Sequence, residues 1–242
     1  MMHQLAFADR LRGLHLKLAP ASVDKLRRYR DLIAAAAERF NLTAVRDPGA
    51  IERRHLLESL ALSRLLADHD LLASGARVID LGSGAGLPGI PIRLAWPELR
   101  LSLLESNAKR CAFLRLCLED LDLPDVEVLE GRAEDFGHAP EHRAAYDLVL
   151  ARALAPLPVL AEYALPFLRL GGHLAALKGS GAGREVEEAA GALAELGGAV
   201  VETLALEPPE GVPQSVVIIR KQAPTPDRYA RRAGIPAKRP LT

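Results

Sequence analysis

Residues 78–89, Val-Ile-Asp-Leu-Gly-Ser-Gly-Ala-Gly-Leu-Pro-Gly, constrain this chain more than any other stretch. An apolar run ends in Gly82, Gly84 and Gly86 at alternate positions and then passes into helix-forming sequence. Glycine tolerates left-handed dihedrals, which lets a chain turn sharply and brings backbone N–H groups close to a ligand at the carboxyl edge of a sheet. The stretch therefore predicts a strand, a tight loop and a helix, with the loop as the floor of a nucleotide-type site.

The sequence around it fits that start. Short β-rich runs at residues 77–81, 101–105, 126–130, 146–150 and 173–177 alternate with helical segments, the rhythm of βαβ units and a mainly parallel sheet. Two further runs, 199–206 and 215–220, are separated by Pro208-Pro209-Glu210-Gly211-Val212-Pro213 with no helix between them, so they are expected to pair as an antiparallel hairpin at the sheet edge. Upstream, Val23, Leu26, Tyr29, Ile33 and Ala37 recur at helical spacing, predicting an amphipathic helix over 22–40 with Ser22 as N-cap, and a second helix runs over about 50–66. The expected fold is α/β. Residues 1–73 are read as a helical N-terminal region, 74–222 as the Rossmann-like domain with a seven-stranded sheet, and 223–242 as an extended basic tail.

Charge and composition narrow the class. The net charge is zero, yet residues 1–30 carry +5 and residues 220–242 carry +6, leaving −11 for the middle. Basic ends on an acidic body suit a polyanion partner, with ordinary solvated surface charge as the plain alternative. No apolar stretch approaches the ~20 residues of a membrane helix and no signal peptide is evident, so the reading is a cytoplasmic protein without membrane attachment. Cys111 and Cys117, six apart on a helix, suit buried hydrophobes rather than a disulfide or metal pair. His138 and His142 flank Pro140 in a loop and do not make a metal site, and no metal is expected. Trp96 is expected to pack at the end of the helix after the glycine loop.

The glycine pattern alone leaves the cofactor open. Gly84-x-Gly86-x-x-Gly89 also matches the dinucleotide fingerprint, with Glu105 where its ribose-binding acid belongs. Asp80 directly before the loop, Ala133-Glu134-Asp135 after the third strand and the terminal hairpin tilt the choice toward a class I methyltransferase and S-adenosyl-L-methionine. On that reading Asp80, Gly82, Gly84 and Gly86 lie at the methionyl end of the cofactor, Glu105 accepts from the ribose diol, and Ala133 and Glu134 meet the adenine edge. Arg152, after the fourth strand, has a planar fork that can fix a phosphate, a base edge or a carboxylate, and is read as a positioning group.

Asn41-Leu42-Thr43-Ala44, Arg54-His55 with Ser59, the glycine loop with Leu87-Pro88-Gly89-Ile90-Pro91, Leu103-Leu104-Glu105-Ser106, Ala151-Arg152-Ala153 and Leu177-Lys178-Gly179 occur together and in order. So does the terminal Tyr229-x-Arg231-Arg232-x-Gly234-x-Pro236-x-Lys238-x-Pro240-Leu241. From Phe40 onward the chain resembles the bacterial glucose-inhibited division protein B family, the 16S ribosomal RNA guanine-N7 methyltransferases. One departure is Glu58, where that family more often has Asp. The resemblance implies cofactor binding by Gly82, Leu87, Ala133, Glu134 and Arg152, with Glu105 on the ribose, and 16S ribosomal RNA or the small ribosomal subunit as partner of a monomeric enzyme. The candidate RNA contacts are Asn41, Arg46, His55, Arg231, Arg232 and Lys238; for His55, a capping or packing role stands beside RNA contact. Guanine N7 attacks through an in-plane lone pair without losing a proton, so no general base is expected and alignment with water exclusion carries the rate. The alternatives are a methyltransferase for a small molecule or protein, a nicotinamide-dependent dehydrogenase, and a non-catalytic RNA-binding assembly factor.

Overall fold

Along each central strand, successive residues enter different cores. Val78, Leu101, Leu103, Leu148 and Leu150 belong to one buried cluster, and Ile79, Leu81, Leu104, Val149 and Ala151 to a second. That is the period of two of a sheet buried on both faces. The computed structural model describes residues 7–209 and 211–242.

The N-terminal helices cover the first face. They are α1 (Phe7–Gly13), α2 (Pro20–Arg39), α3 (Pro48–Ile51), a π-helical stretch Glu52–Leu57, and α4 (Glu58–Asp68). α2 begins at Pro20, with Ala19 at the N-cap; Ser22 lies inside the first turn and its N–H donates to the Ala19 carbonyl at 2.9 Å. Proline supplies the start because its fixed φ suits the first helical position and its missing N–H would have had no partner there. The single helix expected over 50–66 is one continuous helical path broken in character by the π-helical turn.

The alternating part follows as β1 (Arg77–Leu81), α5 (Gly89–Ala95), β2 (Arg100–Glu105), α6 (Ala108–Asp120), β3 (Glu127–Glu130), α7 (Ala133–Phe136), β4 (Tyr146–Arg152), α8 (Leu157–Ala164), β5 (Leu168–Lys178), α9 (Ala182–Glu188), α10 (Ala190–Leu196), β6 (Gly198–Leu206) and β7 (Gln214–Lys221). The seven strands lie in the order β3-β2-β1-β4-β5-β7-β6. β1 to β5 are parallel, while β7 runs antiparallel to both β5 and β6, as the helix-free connection required. The strand order reverses between β1 and β4, so the loops after these two strands diverge and open a crevice at the carboxyl edge. Trp96 caps α5 and packs on the first core, and both cysteines are buried as free thiols.

The segment after β7 departs from its expected extended form. It folds back over the second face, where Tyr229, Ala230 and Pro236 are buried, and ends in α11 (Ile235–Lys238). Its anchor is Arg231, whose guanidinium meets the Glu162 carboxylate of α8 bidentately at 2.6–3.1 Å, with Glu162 wholly buried. A basic composition suggested a solvated arm because the acid that neutralises it lies 69 residues away in sequence.

Candidate active site at the carboxyl edge of the sheet

The glycine loop is shaped by its own packing. Gly82, Gly84 and Gly86 have φ of +68°, +59° and +90°, a region that strains side-chain-bearing residues. At Gly86 a Cβ would also stand 2.8 Å from the Tyr29 hydroxyl oxygen of α2. Tyr29, fully buried, donates its hydroxyl hydrogen to the Ala85 carbonyl, so an N-terminal helix holds the loop from beneath.

Two carboxylates brace the loop. Asp80 accepts from the Gly89 N–H at 2.9 Å through Oδ2, tying the end of β1 to the start of α5, while its Oδ1 is buried without a partner among the described residues. Burial pushes Asp80 up to about 7, against the bond from Gly89 and the charge of Arg152 and with help from Glu105. Glu105, at the end of β2, accepts from the Gly84 N–H at 3.0 Å and from the Asn107 N–H at 2.8 Å. Arg110 lies 3.7 Å from the same carboxylate. Each carboxylate oxygen has more than one acceptor site, so these bonds orient Glu105 without exhausting it.

The loop separates two clefts. The larger, about 780 Å³, runs from Gly82 past Ser106, Ala133 and Glu134 to Pro156 and Tyr163. The smaller, about 140 Å³, lies among Thr43, His55, Gly84, Leu87, Arg110 and Arg152. Of the expected cofactor residues, Gly82 lines both clefts, Ala133 and Glu134 line the larger, and Gly84, Leu87 and Arg152 the smaller. Asp80, Gly86 and Glu105 line neither: Asp80 accepts from the Gly89 N–H, Glu105 from the Gly84 N–H, and Gly86 packs against Tyr29. Glu105 stands behind Gly84, 4% exposed.

Arg152 is held by Glu58. Its NH1 donates to Glu58 Oε1 of α4 at 2.8 Å, and Glu58 Oε2 accepts from the Gln214 amide of β7 at 2.6 Å. A second support is Lys178, which donates to the Ala155 carbonyl at 2.6 Å and pairs with Glu185 at 2.7 Å; Glu185 in turn accepts from the Leu157 N–H at 2.8 Å. Together they fix the loop after β4. In the sequence Glu58 stood out only as a departure from the family's usual Asp, and nothing local marked Gln214 or Glu185.

The RNA candidates divide. Asn41 and Arg46 are exposed on the α2–α3 connection, and Arg232 and Lys238 are exposed on the C-terminal segment. Arg231, expected among the RNA contacts, is instead committed to Glu162. His55 lies in the smaller cleft with Nε2 3.0 Å from the Thr43 hydroxyl and Nδ1 3.0 Å from the Arg54 carbonyl. Burial, and then the neighbouring Arg152 charge, lower His55 to about 4, so the ring is neutral in the physiological range. The excess charge of the N-terminal residues is also largely paired at home: Arg12 with Asp9, Arg27 with Asp24, Arg28 with Asp120 and Arg30 with Asp31 and Glu52. Among the described residues no cluster of His, Cys, Asp and Glu could hold a metal ion, and no helix is long and apolar enough to cross a membrane.

A glycine loop at the β1–β4 switch point, an acid at the end of β2, a second acid after β3 and an antiparallel β7 define a class I methyltransferase, the class that uses S-adenosyl-L-methionine. In fold the chain resembles a solved protein from Methanococcus maripaludis assigned as an S-adenosyl-L-methionine-dependent methyltransferase, with a TM-score of 0.53 at 15% identity over 69% of this chain and 86% of that one. The family model described as rRNA small subunit methyltransferase G matches residues 22–210, and this chain belongs to that family. Proteins named ribosomal RNA small subunit methyltransferase G from Chloroflexus aggregans and a Roseiflexus species are 47% and 43% identical to it, covering 90% and 95% of this chain and 89% and 96% of their own lengths.

Proposed function

We propose that this protein transfers the methyl group of S-adenosyl-L-methionine to N7 of a guanine in 16S ribosomal RNA, acting as a monomer in the cytoplasm on the RNA or the small ribosomal subunit. The observation that carries the reading is the pair of clefts meeting at Gly82, one bordered by Glu134 and the other by Arg152, in a chain of the methyltransferase G family.

The residues fit the cofactor. A Cβ at Gly82, where φ is +68°, would stand 2.6 Å from the Leu154 side chain, so a bare backbone suits the point that both clefts share. Glu134 borders the larger cleft with one carboxylate oxygen outside its bond from Gly234, a fit for a base edge, and Glu105, behind Gly84, has lone pairs beyond its two backbone bonds for a ribose diol. Bound there, S-adenosyl-L-methionine supplies an electrophilic sulfonium methyl group. The chain's part is to hold and shield. Glu105 fixes the glycine loop through the Gly84 N–H, Arg152 is braced by Glu58 to present its fork to a base, a phosphate or a carboxylate, and the neutral His55 ring lines the smaller cleft beside it. Guanine N7 carries no proton, so no residue has to remove one, and His55, the one imidazole among the described residues that lines the smaller cleft, is poorly suited to act as a base.

The test is to incubate the protein with isotopically labelled S-adenosyl-L-methionine and small ribosomal subunits lacking the modification, digest the RNA to nucleosides and analyse them by mass spectrometry. Label in 7-methylguanosine from 16S RNA is the expected result. Label at another atom or base, or in protein alone, overturns the proposal.

A further inference from the structure

The C-terminal segment ends in a cluster of apolar residues that the fold places at the mouth of the larger cleft. Ala237, Pro240 and Leu241 line it together with Pro158 and Tyr163 of α8, and Ala237 and Pro240 remain exposed. The segment reaches that place by a series of specific anchors. Arg143 donates to the carbonyls of Thr225 at 2.9 Å and Tyr229 at 2.8 Å, and His138 Nε2 lies 2.6 Å from the Ala230 carbonyl. Arg231 adds both its backbone N–H, 2.7 Å from Glu162 Oε1, and its guanidinium. Burying a charge pair of this kind gains little net stability over apolar packing, but it fixes register, because any shift leaves Glu162 buried and unpaired.

The register it fixes bears on the cofactor. The Gly234 N–H donates to Glu134 Oε1 at 2.8 Å, so the segment grips the acid that borders the cleft through one of its two oxygens. Gly234 has φ of +81° at this turn, a conformation that disfavours any side chain, while a Cβ there would meet nothing within 4 Å.

We propose that residues 229–242 form a strap that completes the cofactor cleft: Ala237, Pro240 and Leu241 wall its adenosyl side, and the Gly234 N–H is a positioning group that aims Glu134 Oε2 at a hydrogen-bond donor on the base. The ligand chemistry it fits is a purine nucleoside with an exocyclic amino group. The inference rests on the S-adenosyl-L-methionine reading above, and deepens it.

Calorimetry and limited proteolysis test it together. Three variants of the full chain are compared with wild type: a truncation lacking residues 235–242, Ala237→Glu, which puts a charge on the apolar wall without touching the anchors, and Gly234→Val, which strains the turn that aims Glu134. The truncation and Ala237→Glu should weaken binding of S-adenosyl-L-methionine and S-adenosylhomocysteine tenfold or more. Gly234→Val should lose preference for S-adenosylhomocysteine over its inosyl analogue, in which a carbonyl replaces the amino group, by a similar factor. By linkage, saturating S-adenosylhomocysteine should slow tryptic cleavage after the exposed Arg232 and Lys238 of the wild type, and methionine alone should not. Wild-type protein that binds S-adenosyl-L-methionine while truncation and Ala237→Glu bind it equally well, or unchanged cleavage of the strap with ligand, overturns the strap alone. Failure of the wild type to bind the cofactor overturns both readings.

Discussion

Arg152 and Asp80 show how far a residue's role depends on its immediate partners. Arg152 sits at the end of β4 with Glu58 on one side and the smaller cleft on the other. Arg152→Ala should lower the single-turnover methylation rate or cofactor affinity tenfold or more, the loss of about 1.4 kcal/mol of positioning, and Arg152→Lys should not restore it because an ammonium lacks the planar fork. The wild-type rate should show no histidine-dependent limb from about pH 7 to pH 9, where N7 and a histidine lowered to about 4 do not titrate. Single-turnover assays across pH check both, and an acid limb abolished by His55→Ala would show that a base operates after all. Asp80 carries a different consequence. Its folded-state value near 7 lies above the ordinary carboxylate value of about 4, so between these the folded chain holds a proton that the unfolded chain has released. That contribution to stability is complete below about pH 4 and is lost as pH rises through 7. Asp80→Asn cannot ionise, so urea denaturation should show the variant gaining on wild type from pH 5 to pH 8. Parallel pH profiles for the two proteins would remove the argument.

Among the elements, α2 has an effect out of proportion to its distance from the sheet edge. Its amphipathic face buries Leu26, Tyr29 and Ile33, and Tyr29 reaches the glycine loop at Ala85. Tyr29→Phe keeps the ring and deletes the donor, leaving a buried carbonyl without its partner, which costs about 1–3 kcal/mol. Denaturation should read that loss, and cofactor affinity should fall with it because the loop loses its support from below. A variant within about 0.5 kcal/mol of wild type in stability, with unchanged affinity, would show that packing alone sets the loop.

For the molecule as a whole, the charge distribution reads differently once paired groups are set apart. Five N-terminal arginines have acidic partners and Arg231 has Glu162, so of the basic residues expected to meet RNA on the chain's surface Arg46, Arg232 and Lys238 are exposed and without an ion pair among the described residues. Replacing these three with Ala should weaken RNA binding at low salt and flatten the dependence of log affinity on log salt by about 0.7 for each phosphate no longer neutralised on single-stranded RNA. Filter binding over a salt series reads the slope. If Arg27→Ala and Arg28→Ala flatten it instead, the α2 surface is the interface.

The strand rhythm, the glycine loop, the helix-free step into β7 and the acids at the end of β2 and after β3 were all legible in the amino-acid order. They are local signals: a period of two, a left-handed turn and a residue at a strand terminus are set by neighbours a few positions away. Three features came instead from the way the chain packs, namely that Asp80 ties the end of β1 to the start of α5, that Glu58 and Gln214 brace Arg152, and that a basic tail folds back to line the larger cleft. Each of those depends on a buried charge or amide finding a partner between 9 and 156 residues distant, and desolvation makes such a group adopt whichever partner the fold brings to it.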